Sequence, residues 1–399
     1  MNATNLSPAP LPPHPRVMRV ISPFQNFFQT EVSGGILLFI ATLFALVWAN
    51  SPWSSSYFDF WHTDITIQFG RFGMSLSLAE WINDGLMAIF FFVVGLEIKH
   101  EVLRGELSNP RRLALPVLAA AGGVVAPALV YLAINAGDAQ RLQGWPIPTA
   151  TDIAFALAAL AAAGPRLPPT LRVFLLTLAI ADDVVAVVLI AVLYTDHLRF
   201  PMLFGAAATT AVLAAMSRWR TAPYAFWVVG GVLLWGFTLK SGVNTSIAGI
   251  AAAFCLPLEP KRPGEPGVLA QTMEALHPYV AFLILPVFAF TAAGFAFGDE
   301  TARVILSSVS LGVAAGLFFG KQAGVFGAAL LAIGLKWARR PTGAKWIELY
   351  GVSALCGVGF TMSLYIGALA FPGADPLHQA QVRAGVVLGS LGSAAFGLA

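Results

Sequence analysis

Residues 171–194 read LRVFLLTLAIADDVVAVVLIAVLY, and two adjacent aspartates, Asp182 and Asp183, stand in the middle of that run. Arg172 is the one other charged residue, at its edge. A stretch this long and this apolar predicts a transmembrane helix. The aspartates fall near its centre, where an ionisable group costs roughly 3 kcal/mol or more and is rare unless it has a task. Two side by side cost more still, because like charges repel. Carboxylates that can change charge state at membrane depth are what a cation or proton pathway requires.

The composition around this run agrees. Of 399 residues, 57% are hydrophobic and 11% are Asp, Glu, Lys or Arg, against about 25% charged in a soluble domain. The chain therefore reads as a polytopic, all-α membrane protein forming a single membrane domain over residues 1–399, with no sizeable aqueous part. The net charge of +3 is dispersed over loops, which argues against a nucleic-acid partner. Cys255 and Cys356 lie in apolar segments and read as small core residues. Residues 1–23 start polar and Pro-rich, and are expected to be a flexible tail without a leader peptide.

Twelve apolar segments are expected, at about 32–50, 79–98, 113–135, 145–163, 171–194, 200–216, 223–239, 243–258, 276–298, 305–335, 347–371 and 382–398. With the N-terminus taken as cytoplasmic, the inner segments hold sixteen of the 23 Lys and Arg residues and the outer loops six. That bias suits twelve spans with both termini inside. The remaining basic residue, Lys321, is left within the membrane, deep in the tenth segment. A lysine there must find a partner or water.

The longest outer loop, 51–77, contains ITIQFGRFGMSLS, with alternating apolar and polar residues around a Gly-containing turn. This predicts a β-hairpin. A lone hairpin is marginal in water, so pairing with a second copy, and hence a homodimer, is expected.

Two segments are interrupted. In the fourth, GWPIPTATDIAFALAALAAAG, a helix from about Thr149 to Ala163 is too short to span a core of about 30 Å. The missing length is expected to be extended backbone around Thr151 and Asp152. In the eleventh, LYGVSALCGVGFTMSLYIGALAF, Gly357 and Gly359 interrupt the run, with Phe360, Thr361 and Ser363 following. A matched pair of broken segments in two halves points to inverted repeats and a transport site at the midplane. Asp152 would balance helix N-termini meeting there. Asp182 and Asp183 point about 100° apart on a helix, so one is expected to meet an ion and the other a fixed partner, Lys321. Weaker groups are Glu97 and Glu101, one turn apart at the inner end of the second segment, and Glu274 with His277 at the inner end of the ninth. These could line a cation funnel or respond to pH.

These residues resemble the NhaA-type bacterial sodium/proton antiporters. The motifs that carry the resemblance are WINDGLMAIFFFVVGLEIKHE, GWPIPTATDIAFAL, LAIADDVVAVVL, KSGVNTSIAGI, LHPYVAFLILPVFAF, GLFFGKQAG and LCGVGFTMSLYIGALAF, in this order from about Phe24 onward. The resemblance implies electrogenic export of Na⁺ or Li⁺ in exchange for H⁺, serving pH and sodium homeostasis, with membrane lipid as surroundings and no cofactor or enzymatic chemistry. It implies Asp183 as principal sodium ligand with Asp152 beside it, Asp182 paired with Lys321, and Thr151 at the break. Glu97, Glu101 and Glu274 would answer pH. Four positions depart from the family pattern: Asn244 for a histidine, Ala292 for an asparagine, His100 for an arginine and Gln322 for a proline. A sodium-coupled solute symporter is the nearest alternative, needing a larger polar pocket. An intramembrane aspartyl protease would lack its Gly-x-Gly-Asp motif, and a passive channel would leave the Asp–Lys pair without a role.

Overall fold

The computed structural model describes residues 15–69, 72–105, 110–164, 167–195, 198–218, 223–259, 267–296, 298, 301–371 and 376–399. The chain is predominantly helical. Six described helices are long and apolar enough to cross a membrane, or eight spans if each of two bent helix pairs counts once. Two shorter apolar helices, Phe200–Met216 and Thr245–Cys255, accompany them. The surface is apolar where a soluble protein would be polar. Phe44, Val192, Phe204, Val228 and Leu331 are all exposed, while Asp152, Asp182, Asp183 and Lys321 are buried. Lipid is the solvent that such a surface suits, and helices satisfy their own backbone groups within it. The molecule is a multi-pass membrane protein.

Element boundaries differ from the sequence reading in instructive ways. The first helix runs Pro15–Ala49, so the last part of the expected tail is helical. Pro8, Pro10, Pro12 and Pro13 precede that point and Pro15 opens the helix, where the first turn tolerates one; residues 1–14 lie outside the described residues. The ninth segment starts at Val268, before its apolar run, and carries a π-helical turn at Val280–Ile284. The tenth divides into Thr301–Ile305, Ser308–Ala315, a π turn at Gly316–Gly320 and Lys321–Gly334. Ser307 caps the second of these through Ser310 N, which explains a break that hydropathy alone passes over.

At one end of the molecule, strands β1 (Asp64–Phe69) and β2 (Phe72–Ser77) pair antiparallel, with Ile65 opposite Leu76 and Ile67 opposite Met74. Residues 70 and 71 at the tip lie outside the described residues. Thr66 and Ser75 join their hydroxyls across the pair at 2.8 Å. Ser77 and Glu80 then form a capping box that starts the next helical stretch.

Small residues let helices approach closely, as packing between membrane helices requires. Gly122 of the helix Pro110–Asn135 faces Gly324 of Lys321–Gly334. A Cβ on Gly122 would lie 2.3 Å from the Gly324 carbonyl oxygen. Gly249 of Thr245–Cys255 meets the helix Met87–Arg104 in the same manner, with 2.2 Å left to the Ala88 carbonyl oxygen. Lys321 stands on a helix of the first contact and Glu97 on a helix of the second.

Candidate ion site

The site is made where the two bent pairs meet. Ala139–Thr149 and Ile153–Ala162 are bent by 49°, and Trp346–Leu355 and Phe360–Ala370 by 41°. Pro146 and Pro148 lack the N–H that would carry a helix through the first break, and only a 3₁₀ turn, Ile147–Thr149, forms there. Extended backbone follows at Ala150 and Asp152, and the helix starts at Ile153 rather than near Thr149. In the second break, glycines admit close neighbours. A Cβ on Gly357 would lie 2.3 Å from the Leu317 carbonyl oxygen, and one on Gly359 would lie 2.9 Å from that of Ala150. The two breaks are bonded directly, with Asp152 N–H donating to the Val358 carbonyl at 2.7 Å.

Asp152 joins the two half-helices that begin here. Its Oδ1 accepts from Phe155 N at 3.0 Å, capping its own helix. Its Oδ2 accepts from Thr361 N at 2.9 Å and from the Thr361 hydroxyl at 2.5 Å. One carboxylate thus satisfies orphan N–H groups of two helices and balances the positive ends of both dipoles. Three donors already engage its oxygens.

Asp182 and Asp183 stand on the helix Pro169–Leu193, each only 1% exposed. Lys321, 0% exposed, donates to Asp182 Oδ2 at 2.5 Å and to the Thr151 hydroxyl at 3.0 Å. That hydroxyl has two acceptors in reach, Asp182 Oδ2 at 2.7 Å and the Cys356 carbonyl at 2.9 Å. It holds one proton and serves one of them at a time. The hydroxyl that meets Lys321 thereby also reaches the Cys356 carbonyl, released at the end of Trp346–Leu355, where the dipole is negative.

Asp183 differs. Its Oδ1 is buried with no hydrogen-bond partner among the described residues. It lines a cavity of about 40 Å³ together with Glu97, Thr151, Asp152, His277 and Thr361. A single water needs roughly 10–15 Å³ by this measure, so the space suits a few waters or a partly hydrated ion. No group of three or more His, Cys, Asp or Glu converges on one point among the described residues. A monovalent hard cation does not need one, since hydroxyl and carbonyl oxygens serve it as well.

The outer candidates separate. His277 Nδ1 lies 3.5 Å from Glu97 Oε1 at the cavity wall. Glu101 turns instead toward His100, at 3.9 Å, and Glu274 is exposed; neither lines the cavity. The four departing positions also acquire surroundings. Asn244 caps Thr245–Cys255 through Ser246 N at 2.9 Å and accepts from the Tyr365 hydroxyl at 3.0 Å. Gln322 accepts from the Tyr350 hydroxyl at 3.0 Å. Ala292 ends its helix beside a second cavity. Sequence reasoning missed Asp84, whose carboxylate accepts from Thr245 at 3.1 Å and whose carbonyl accepts from Trp235 Nε1 at 2.6 Å. Its position inside WINDGLMAIF, as the one acid of that stretch, was the available signal.

Comparison with known proteins identifies the family. The family model described as Na⁺/H⁺ antiporter 1 matches residues 25–399. The chain is 49% identical to a Na(+)/H(+) antiporter NhaA of Caulobacter vibrioides, over 95% of this chain and 90% of that protein. It is 48% identical to one of Nitrobacter hamburgensis, over 94% and 90%. It is 46% identical to a Na(+)/H(+) antiporter NhaA 2 of Pseudomonas syringae pv. syringae, over 98% and 97%.

Proposed function

The chain belongs to the Na⁺/H⁺ antiporter 1 family, and from that premise we propose that it exports sodium in exchange for protons across a bacterial inner membrane, electrogenically. The observation that carries this reading is Asp183: a buried carboxylate with an oxygen left over, facing a cavity beside a second acid, next to an acid already held by a lysine. Asp183 is the principal ligand for sodium or lithium. Thr151, Thr361 and backbone of the breaks offer further oxygens. Asp152, on the cavity wall, supplies negative charge and a second carboxylate for the ion, since a carboxylate with three donors keeps acceptor capacity. When protons reach Asp183, the ion is released, because a ligand must be deprotonated to bind a cation. Asp182 and Lys321 hold the neighbouring helices in register through this exchange.

We assign twelve spans with both termini cytoplasmic, two halves related as inverted repeats, and one membrane domain for the whole chain. The basic-residue bias and the paired breaks support this. The Glu97–His277 contact stands where ions would enter from inside, and Glu101 and Glu274 extend negative charge beyond it. Lipid surrounds the spans. The exposed apolar faces of Ile65 and Ile67 on β1 fit a homodimer in which the hairpins of two copies join. A sodium-coupled solute symporter is disfavoured, because about 40 Å³ leaves no room for an organic solute. The test uses reconstituted protein. Sodium added to acid-loaded vesicles should dissipate the proton gradient in the parent and not in Asp183→Asn, with both inserted equally. Normal turnover in Asp183→Asn would sink the assignment.

A further inference from the structure

A second cavity, of about 120 Å³, opens toward the hairpin end. The half-helix Phe360–Ala370 lies between the two spaces, with Thr361 and Met362 on the ion cavity and Leu364 and Ala368 on the second. No Asp or Glu lines it among the described residues. Its charged group is Arg383, on the last helix. One of that guanidinium's five N–H donors goes to the Gly294 carbonyl at 2.5 Å. No described carboxylate pairs with it. Arg383 is half-buried on the wall of this cavity, and a cation drawn this far from water is ordinarily paired.

The other polar groups do not supply the missing negative charge. The Tyr57 hydroxyl donates to the Phe290 carbonyl at 2.6 Å, and burial pushes this phenol up, against the smaller pull of Arg383, so it stays neutral. Gln379 spends its amide N–H on the Phe371 carbonyl at 2.8 Å. Trp61 is 7% exposed, and its indole N–H, directed toward the Tyr57 hydroxyl, completes no hydrogen bond among the described residues. Asn83 adds an amide to the wall. A fixed cation and an unsatisfied N–H, with no carboxylate opposite, are the complement of an anion.

We propose that this cavity binds a small inorganic monoanion of the chloride class, held by the Arg383 guanidinium and the Trp61 indole N–H. The volume suits such an ion with water. A lipid phosphate would bring its glycerol and acyl chains into the same enclosure. The inference does not depend on which ion the first cavity takes.

The full chain, purified in detergent with choline as the only cation, is melted while choline chloride replaces choline gluconate at constant ionic strength. A saturable rise in Tm with chloride is expected. It should vanish in Arg383→Gln. In Trp61→Phe, which keeps a ring and loses the N–H, it should need several-fold more chloride. A flat response in the parent overturns the proposal, and so does an equal response in Arg383→Gln. Bromide-soaked crystals of the parent give a readout that no variant's folding can confuse. An anomalous peak beside Arg383 is expected, and an empty cavity at saturating bromide is contrary. A further arm adds phosphatidylglycerol without chloride. Stabilisation by that lipid alone would make a lipid phosphate the occupant and defeat the small-anion assignment.

Discussion

Replacing Lys321 by Met removes a charge while keeping the length of the side chain, and so isolates the worth of the buried pair. In the parent the ammonium is fully enclosed, 2.5 Å from Asp182 Oδ2 and 3.0 Å from the Thr151 hydroxyl. Asp182 Oδ1 already lacks a partner among the described residues. Without the lysine, the carboxylate keeps one hydroxyl donor for two oxygens. Removing one partner of a buried pair costs about 3–5 kcal/mol, so Lys321→Met should lower the melting temperature in detergent by several degrees. Lys321→Ala should fall further, because truncating a long buried chain adds a cavity term of roughly 2 kcal/mol or more. The diagnostic variant is the double one. Lys321→Met with Asp182→Asn removes the stranded charge and should recover most of the loss. Additive losses, within about 0.5 kcal/mol, would refute the pairing, as would a Lys321→Met protein that melts like the parent.

Other substitutions test the surrounding frame. Thr151→Val keeps the shape and deletes the hydroxyl that bridges Lys321, Asp182 and the Cys356 carbonyl; a loss of about 1–3 kcal/mol in thermal or denaturant unfolding is expected. Gly324→Ala would set a Cβ 2.1 Å from the Gly122 carbonyl oxygen and should cost about 1–3 kcal/mol by overpacking, read in the same melts, with Gly327→Ala as the neutral control because its Cβ meets nothing within 4 Å. Deleting Ile65–Ser75 should shift the protein toward monomer in light scattering and leave sodium-driven proton movement largely intact. Loss of exchange in a well-folded monomer would contradict the dimer role of the hairpin.

How much of this was legible in the sequence depends on range. The depth of Asp182, Asp183 and Lys321 could be counted along apolar runs, because the bilayer gives a ruler that soluble proteins lack. The breaks were legible from Pro146, Pro148, Gly357 and Gly359, whose backbone chemistry is local. The bonds that assemble the site were not. Asp152 reaches Thr361 across 209 residues, and Thr151 reaches Cys356 across 205; no periodicity reports which distant segments cross. Helical spacing put Glu97 and Glu101 on one face, yet packing against Val268–Tyr279 brings Glu97 to His277 and leaves Glu101 beside His100. Helix starts set by single capping side chains, such as Ser307 and Asn244, were hidden inside hydropathy that stays high across them. Arg383, at the start of the last apolar segment, is unremarkable in the sequence, and only its place on the wall of the second cavity makes it unusual.

The central claim is that sodium and protons compete for the same carboxylates around Asp183, and apparent sodium affinity measured across several pH values in proteoliposomes tests it most directly. Protons displaced from the cluster make the affinity pH-dependent, and because these acids interact, the titration belongs to the cluster and not to one residue. Above its titration range the affinity should be constant. As pH falls through that range, carboxylates take up protons and affinity should weaken by about tenfold per pH unit for each proton displaced, with the maximal rate little changed. An affinity that stays flat with pH, while only the maximal rate moves, would contradict competition at Asp183.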